Sequence, residues 1–104
     1  MEIAYKSIQF AKSLPKEQRF ILCEQLSRAA VSIPSNIAEG SSRRTEKDYS
    51  HFIRIALGSS YELETQVLIA DKAEYGNSAD RSILLKDIKE EQSMLSGFLS
   101  KLNI

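Results

Sequence analysis

The 104-residue sequence holds one cysteine, one histidine, no tryptophan, two prolines and four glycines. A single cysteine excludes an internal disulfide and suits a reducing compartment. One histidine and one cysteine cannot supply a structural zinc set, and a di-metal centre of the bundle type needs Glu-x-x-His pairs on two helices. His51 has only Asp48 three residues earlier and no second histidine to join it. The glycines at 40, 58, 76 and 97 match neither a phosphate-binding loop nor a dinucleotide fingerprint. Ser41 and Ser42 follow Gly40 without a G-x-S-x-G elbow around them. No catalytic residue, metal or cofactor is assigned, and an enzyme is not expected.

Long apolar runs are also missing. No stretch of about 18 apolar residues exists, so no membrane span is expected. The opening Met-Glu-Ile lacks a basic segment followed by an apolar run, so no signal peptide is expected and the chain reads as cytoplasmic. Net charge is absent too: fourteen basic and fourteen acidic residues cancel, which argues against wholesale coating of a polyanion. The charge is nevertheless uneven. Residues 1–54 carry nine Lys/Arg against six Asp/Glu, and residues 55–104 carry five against eight, so the middle of the chain is its cationic part.

What is present is helical periodicity, almost throughout. With 42% hydrophobic and 27% charged residues the composition is that of a globular chain, and the length suits one domain over residues 1–104. A first segment over about residues 2–13 aligns Ile3, Ala4, Ile8, Ala11 and Leu14, and Pro15 ends it. A second, about 17–39, carries Leu22, Leu26, Ala29, Ile33 and Ile37 as one stripe. Pro34 lies inside it and predicts a kink near residues 31–33, and Gly40 reads as its left-handed stop.

The third segment, about 46–75, starts at a capping box formed by Thr45 and Asp48. Tyr49, Ile53, Ala56, Ser60, Leu63, Val67 and Ala70 form its seam. Small Ala56, Gly58, Ser59 and Ser60 mark a place where a neighbouring helix could come close. Gly76-Asn77 reads as its end and Ser78 as the cap of a fourth segment, about 79–102. There Leu84, Ile88, Leu95, Phe98 and Leu102 line one face, with Asp87, Lys89, Glu90 and Glu91 mostly on the other. Short connections between long amphipathic helices predict an all-α, antiparallel up-down four-helix bundle.

The cationic segment is the most suggestive functional feature. Arg43, Arg44 and Lys47 surround the start of the third helix, with Arg28 and Arg54 as further candidates for the same surface. Helix-start amides attract anions and adjacent arginines can grip a phosphate, although Glu46 and Asp48 are interleaved. These five residues are the candidate nucleic-acid contacts; a solvated mixed-charge surface is the alternative. Cys23 reads as a small core hydrophobe and His51 as a half-exposed surface residue, with polyanion contact the alternative. Asn36 and Glu39 read as local hydrogen-bonding groups beside Pro34, or as polar contacts at a subunit interface. Glu62 and Glu64 read as solvated or ion-paired, and Tyr5, Phe10 and Phe20 as core or edge aromatics, with stacking of bases the distant alternative.

Two runs carry a family resemblance: Arg28-Ala-Ala-Val-Ser-Ile-Pro-Ser-Asn-Ile-Ala-Glu-Gly40 and Phe52-Ile-Arg-Ile-Ala-Leu-Gly-Ser-Ser-Tyr-Glu-Leu-Glu-Thr-Gln66. Together the chain resembles the four-helix-bundle proteins encoded in intervening sequences of bacterial 23S rRNA genes, closely over about residues 14–76. The motif positions on this chain are Arg28, Ser32, Ile33, Asn36, Ile37, Glu39 and Gly40, then Ala56, Gly58, Glu62, Glu64 and Gln66, with Pro34 inside the first run. The resemblance implies the same fold, ring-like homopentamers and no catalytic residues. It further implies kinship with the accessory variability protein of diversity-generating retroelements, a basic pentameric barrel that binds nucleic acid and a reverse transcriptase.

Two departures accompany it. The first helix is shorter at its N-terminus than the family's by about two to three turns, and the net charge is zero. The expected partners are copies of the chain itself, RNA or another nucleic acid, and a protein such as a reverse transcriptase, with no membrane. A protein-interaction scaffold without nucleic-acid binding is the rival expectation.

Overall fold

A computed structural model describes residues 2–102, together with the side chains of all of these except Gln18, Arg19 and Phe20. Phe20, expected as a core or edge aromatic, therefore falls outside the described side chains. Four helices run up and down: α1 (Glu2–Lys12), α2 (Glu24–Ser41), α3 (Glu46–Lys72) and α4 (Ser78–Lys101). No strand occurs among the described residues, and none of the helices is long and apolar enough to cross a membrane.

The expected stripes meet in the interior. Leu22, Leu26, Ala29 and Ile33 of the second segment are buried, as are Ile53, Ala56, Ser60, Leu63, Val67 and Ala70 of α3 and Leu84, Ile88 and Leu95 of α4. One cluster joins α1 to the middle of the other helices through Phe10, Leu26, Ala30, Leu63, Val67, Leu84 and Ile88. A second, around Ile53, Ala56 and Leu95, packs with Tyr49 and Phe98 at the α2–α3 turn, and Ile37 touches both. The Tyr49 and Phe98 rings meet edge to face at 5.1 Å.

The ends of the helices correct several expectations. The second segment does not begin as an α-helix at residue 17: a 3-10 turn, Lys16–Gln18, and a π-helical turn, Arg19–Cys23, precede α2. The helix does not stop at Pro34, where a kink was expected: α2 runs from Glu24 to Ser41 with the proline inside it. Gly40 is no left-handed stop but an interior helical residue. A β-carbon there would stand 2.8 Å from Tyr49 Cδ1 and 2.9 Å from Phe52 Cβ, so glycine is required by the close approach of α2 and α3. Gly58, expected at such an approach, faces open space, whereas its neighbours Ala56, Ser59 and Ser60 are buried.

At the far turn, α3 ends at Lys72, before Gly76. Glu74 takes the left-handed conformation (φ 59°), with Tyr75 N donating to Ala70 O and Glu74 N to Asp71 O, a Schellman closure. Gly76 (φ 72°) continues the turn, where a β-carbon would strike the Phe10 ring. Asn77, not Ser78, caps α4: its Oδ1 accepts from the amides of Ala79 and Asp80 at 2.8 and 3.2 Å. Thr45 caps α3 as expected, accepting from Asp48 N at 3.1 Å.

Candidate nucleic-acid interface

The α2–α3 turn is tight. Ser42 N and Arg43 N donate back to the carbonyls of Glu39 and Gly40, and Thr45 opens α3 three residues later. This places Arg43, Arg44 and Lys47 together at one end of the bundle, all exposed. Arg54 stands seven residues beyond Lys47 and so shares its side of α3.

Their electrostatic environments differ. The Arg43 guanidinium donates to Glu39 Oε2 at 3.0 Å and lies over the Phe52 ring, 4.6 Å from its centroid. The His51 ring stands edge to face with that same ring, their centroids 5.3 Å apart. Arg54 donates to Ser50 Oγ at 2.7 Å. Two of the cationic groups are thus oriented by neighbours, while Arg44, in the turn before α3, and Lys47, in its first turn, are exposed. Glu39, Glu46 and Asp48 share this end, so the surface is mixed in sign with a cationic excess.

Arg28 does not join this patch. It lies near the start of α2, about 20 Å from the turn at 1.5 Å per helical residue. It lines instead a groove of about 310 Å³ between α2 and α3, with Gln25, Ala29, Ser32, Ser59 and Glu62. At the groove's floor the Ser32 and Ser59 hydroxyls share a hydrogen bond of 2.7 Å, and Asn36 Nδ2 donates to both Ser32 O and Ser32 Oγ. Asn36 therefore serves the local backbone, and Glu39 the ion pair with Arg43.

The other singled-out residues have structural partners. Glu64 accepts from Gln92 Nε2 at 3.1 Å and faces Lys89 Nζ at 3.4 Å, and Glu62 is exposed. Cys23 is half-buried against the core with Sγ donating to Ala11 O. His51 is an exposed surface residue, as expected. Tyr5 is 63% exposed, at the edge, and Phe10 is core. Sequence reading missed Arg81, buried between α3 and α4, whose Nε reaches Asp71 Oδ1 and whose Nη1 reaches the carbonyls of Tyr75 and Gly76, each at 2.7 Å. A ten-residue separation across a turn carries no periodic signal by which to find it. It also left Asp87 without a partner on the polar face, yet that carboxylate is half-buried and accepts from Lys6 Nζ at 2.9 Å. This bond, then the charge of Asp87, raises the Lys6 pKa above its ordinary value.

Among the described residues no group of His, Cys, Asp and Glu is arranged to hold a metal ion. The fold and its polar surfaces define an antiparallel helical bundle with a cationic turn. The family model for the 23S rRNA-intervening sequence protein matches residues 1–97, and the chain belongs to that family. A crystal structure of a protein of unknown function from the S23 ribosomal protein family, from Bacteroides thetaiotaomicron, superposes with a TM-score of 0.76. It is 22% identical, and the alignment covers 93% of this chain and 97% of that one, a likeness of fold. No curated protein matches significantly.

Proposed function

We propose that the chain is a non-enzymatic, homo-oligomeric bundle, pentameric by preference, that binds RNA or another nucleic acid through its α2–α3 end. The observation that carries this reading is the cluster of Arg43, Arg44 and Lys47 on one tight turn with Arg54 on the same side of α3. Arginine forks suit phosphate oxygens, and several copies in a ring would sum a weak patch into a dense cationic rim. Membership of a family whose genes lie within 23S rRNA sequences gives RNA as the first polyanion to test.

The test is a salt titration of rRNA-fragment binding, with light scattering to give the particle size. Affinity should fall steeply with salt, because phosphate contacts release counterions. Arg43→Glu with Arg44→Glu should weaken binding and flatten that slope. An unchanged affinity and slope would show the reading to be wrong.

A second reading, a protein scaffold without nucleic acid, draws on the apolar groups that α3 leaves exposed: Tyr61 at 50%, Leu68 at 49% and Ile69 at 53%. Stoichiometric recovery of one protein, indifferent to nuclease, would favour it.

A further inference from the structure

The two sequence runs that carry the family resemblance pack against each other, and their polar members converge on the α2–α3 groove. The Ser32–Ser59 hydrogen bond sets the register of the antiparallel seam. One turn from it, Arg28 on α2 and Glu62 on α3 therefore come level on opposite walls, and both line the groove. Among the described residues neither side chain forms an ion pair or a hydrogen bond: Arg43, Arg81, Lys6 and Lys89 make the ion pairs, with Glu39, Asp71, Asp87 and Glu64. A fork of donors and an acceptor-only carboxylate thus face one polar space of about 310 Å³ floored by hydroxyls.

We propose that this groove is a nucleobase site selective for guanine, receiving an unstacked base of the strand whose phosphates lie on the α2–α3 turn. The inference rests on the nucleic-acid reading above. Guanine presents two acceptors, O6 and N7, that match an arginine fork. Its adjacent edge presents N1–H and the N2 amino group, two donors that match a carboxylate. Adenine places an amino group where guanine has O6, so it would set a donor against Arg28. Single-stranded RNA is read in this way, by bases splayed from the stack and hydrogen-bonded along their edges. The roughly 20 Å between the groove and the cationic turn is a span that a few nucleotides of single strand bridge.

The experiment is calorimetric titration of the protein with guanosine, inosine and adenosine 5′-monophosphates, so that the phosphate contribution is common to all three. Guanosine monophosphate should bind about tenfold more tightly than adenosine monophosphate. Inosine monophosphate, which lacks the N2 amino group, should fall between them. Glu62→Gln and Arg28→Met should each abolish the preference while leaving the far-ultraviolet circular dichroism unchanged, since both side chains are exposed. Equal affinity for the three nucleotides, or a guanine preference that survives both substitutions, would overturn the proposal.

The salt slope of RNA binding separates this failure from failure of the reading it rests on. RNA binding that depends on Arg43 and Arg44 without any guanine preference sinks the groove alone. A guanine preference without RNA affinity sinks the turn and keeps the groove as a mononucleotide site. A change in particle size on Arg28→Met or Glu62→Gln, with nucleotide binding absent, would make the groove a contact between copies and refute the proposal.

Discussion

The seam between α2 and α3 and the seam between α1 and α4 belong to one bundle but are closed by different means. Between α2 and α3, small groups let the backbones approach: Gly40 receives Tyr49 and Phe52, and Ser32 meets Ser59. Between α1 and α4 the eleven residues of α1 face the twenty-four of α4. Beside the core cluster that includes Phe10 and Leu84, they are joined by a half-exposed ion pair, Lys6–Asp87, next to an open cleft of about 480 Å³ lined by Tyr5, Gln9, Phe10, Ile83 and Leu84. Close packing at Gly40 adds dispersion to the first seam, whereas the exposed ion pair adds little to the second; each seam also carries an open cleft. The polar groove and the cationic turn both sit on the α2–α3 side. Amides of α1 should accordingly exchange before those of α3.

Truncation of the core tests this contrast most strongly. Leu63→Ala, at a fully buried site in α3, should cost about 3 kcal/mol, whereas Ile3→Ala, half-buried on α1, should cost about 1 kcal/mol in urea unfolding. Equal costs would erase the distinction between the seams. Next comes Arg81, which ties α4 to the end of α3. Arg81→Met should cost about 2 kcal/mol, because it removes a charged donor from Asp71 and two carbonyls. Protection against exchange should fall first in residues 73–80.

Glycine substitutions should then differ in sign. Gly40→Ala forces a shift of Tyr49 and Phe52 and should lose about 1 kcal/mol net, after the gain in helix propensity. Gly58→Ala meets open space and should gain about 0.5–1 kcal/mol. The smallest effect belongs to Lys6. Its pKa is raised in the folded state, chiefly by the Asp87 hydrogen bond, so its contribution is fully present below the ordinary lysine value and lost as pH rises through the raised one. The stability difference between the protein and Lys6→Met should be constant through neutral pH and vanish in strong alkali. A difference that persisted there would assign Lys6 a packing role instead.

Much of the fold was legible from periodicity because each stripe is a local property. Leu26, Ile33, Ile53, Leu63, Val67, Leu84 and Ile88 are buried where the spacing put them, and Thr45 caps α3 through a hydroxyl three residues from its amide. The misreadings cluster where one residue type has two uses. Glycine ends helices and also lets them touch, and Gly40 does the second while Glu74 takes the left-handed position expected of a glycine. The candidate surface was half legible: Arg43, Arg44 and Lys47 are neighbours in sequence and so in space, but Arg28 was grouped with them across a helix length.

The sequence by itself determined the helical class, the core faces and the cationic turn, since these depend on contacts within a few residues. Only the tertiary structure decided that α2 runs on through Pro34, that Arg81 is buried and that Arg28 stands level with Glu62. The physical reason is register. Which side chains meet across a seam depends on how two helices slide along each other, and that is set by long-range packing, here Gly40 against Tyr49 and Ser32 against Ser59.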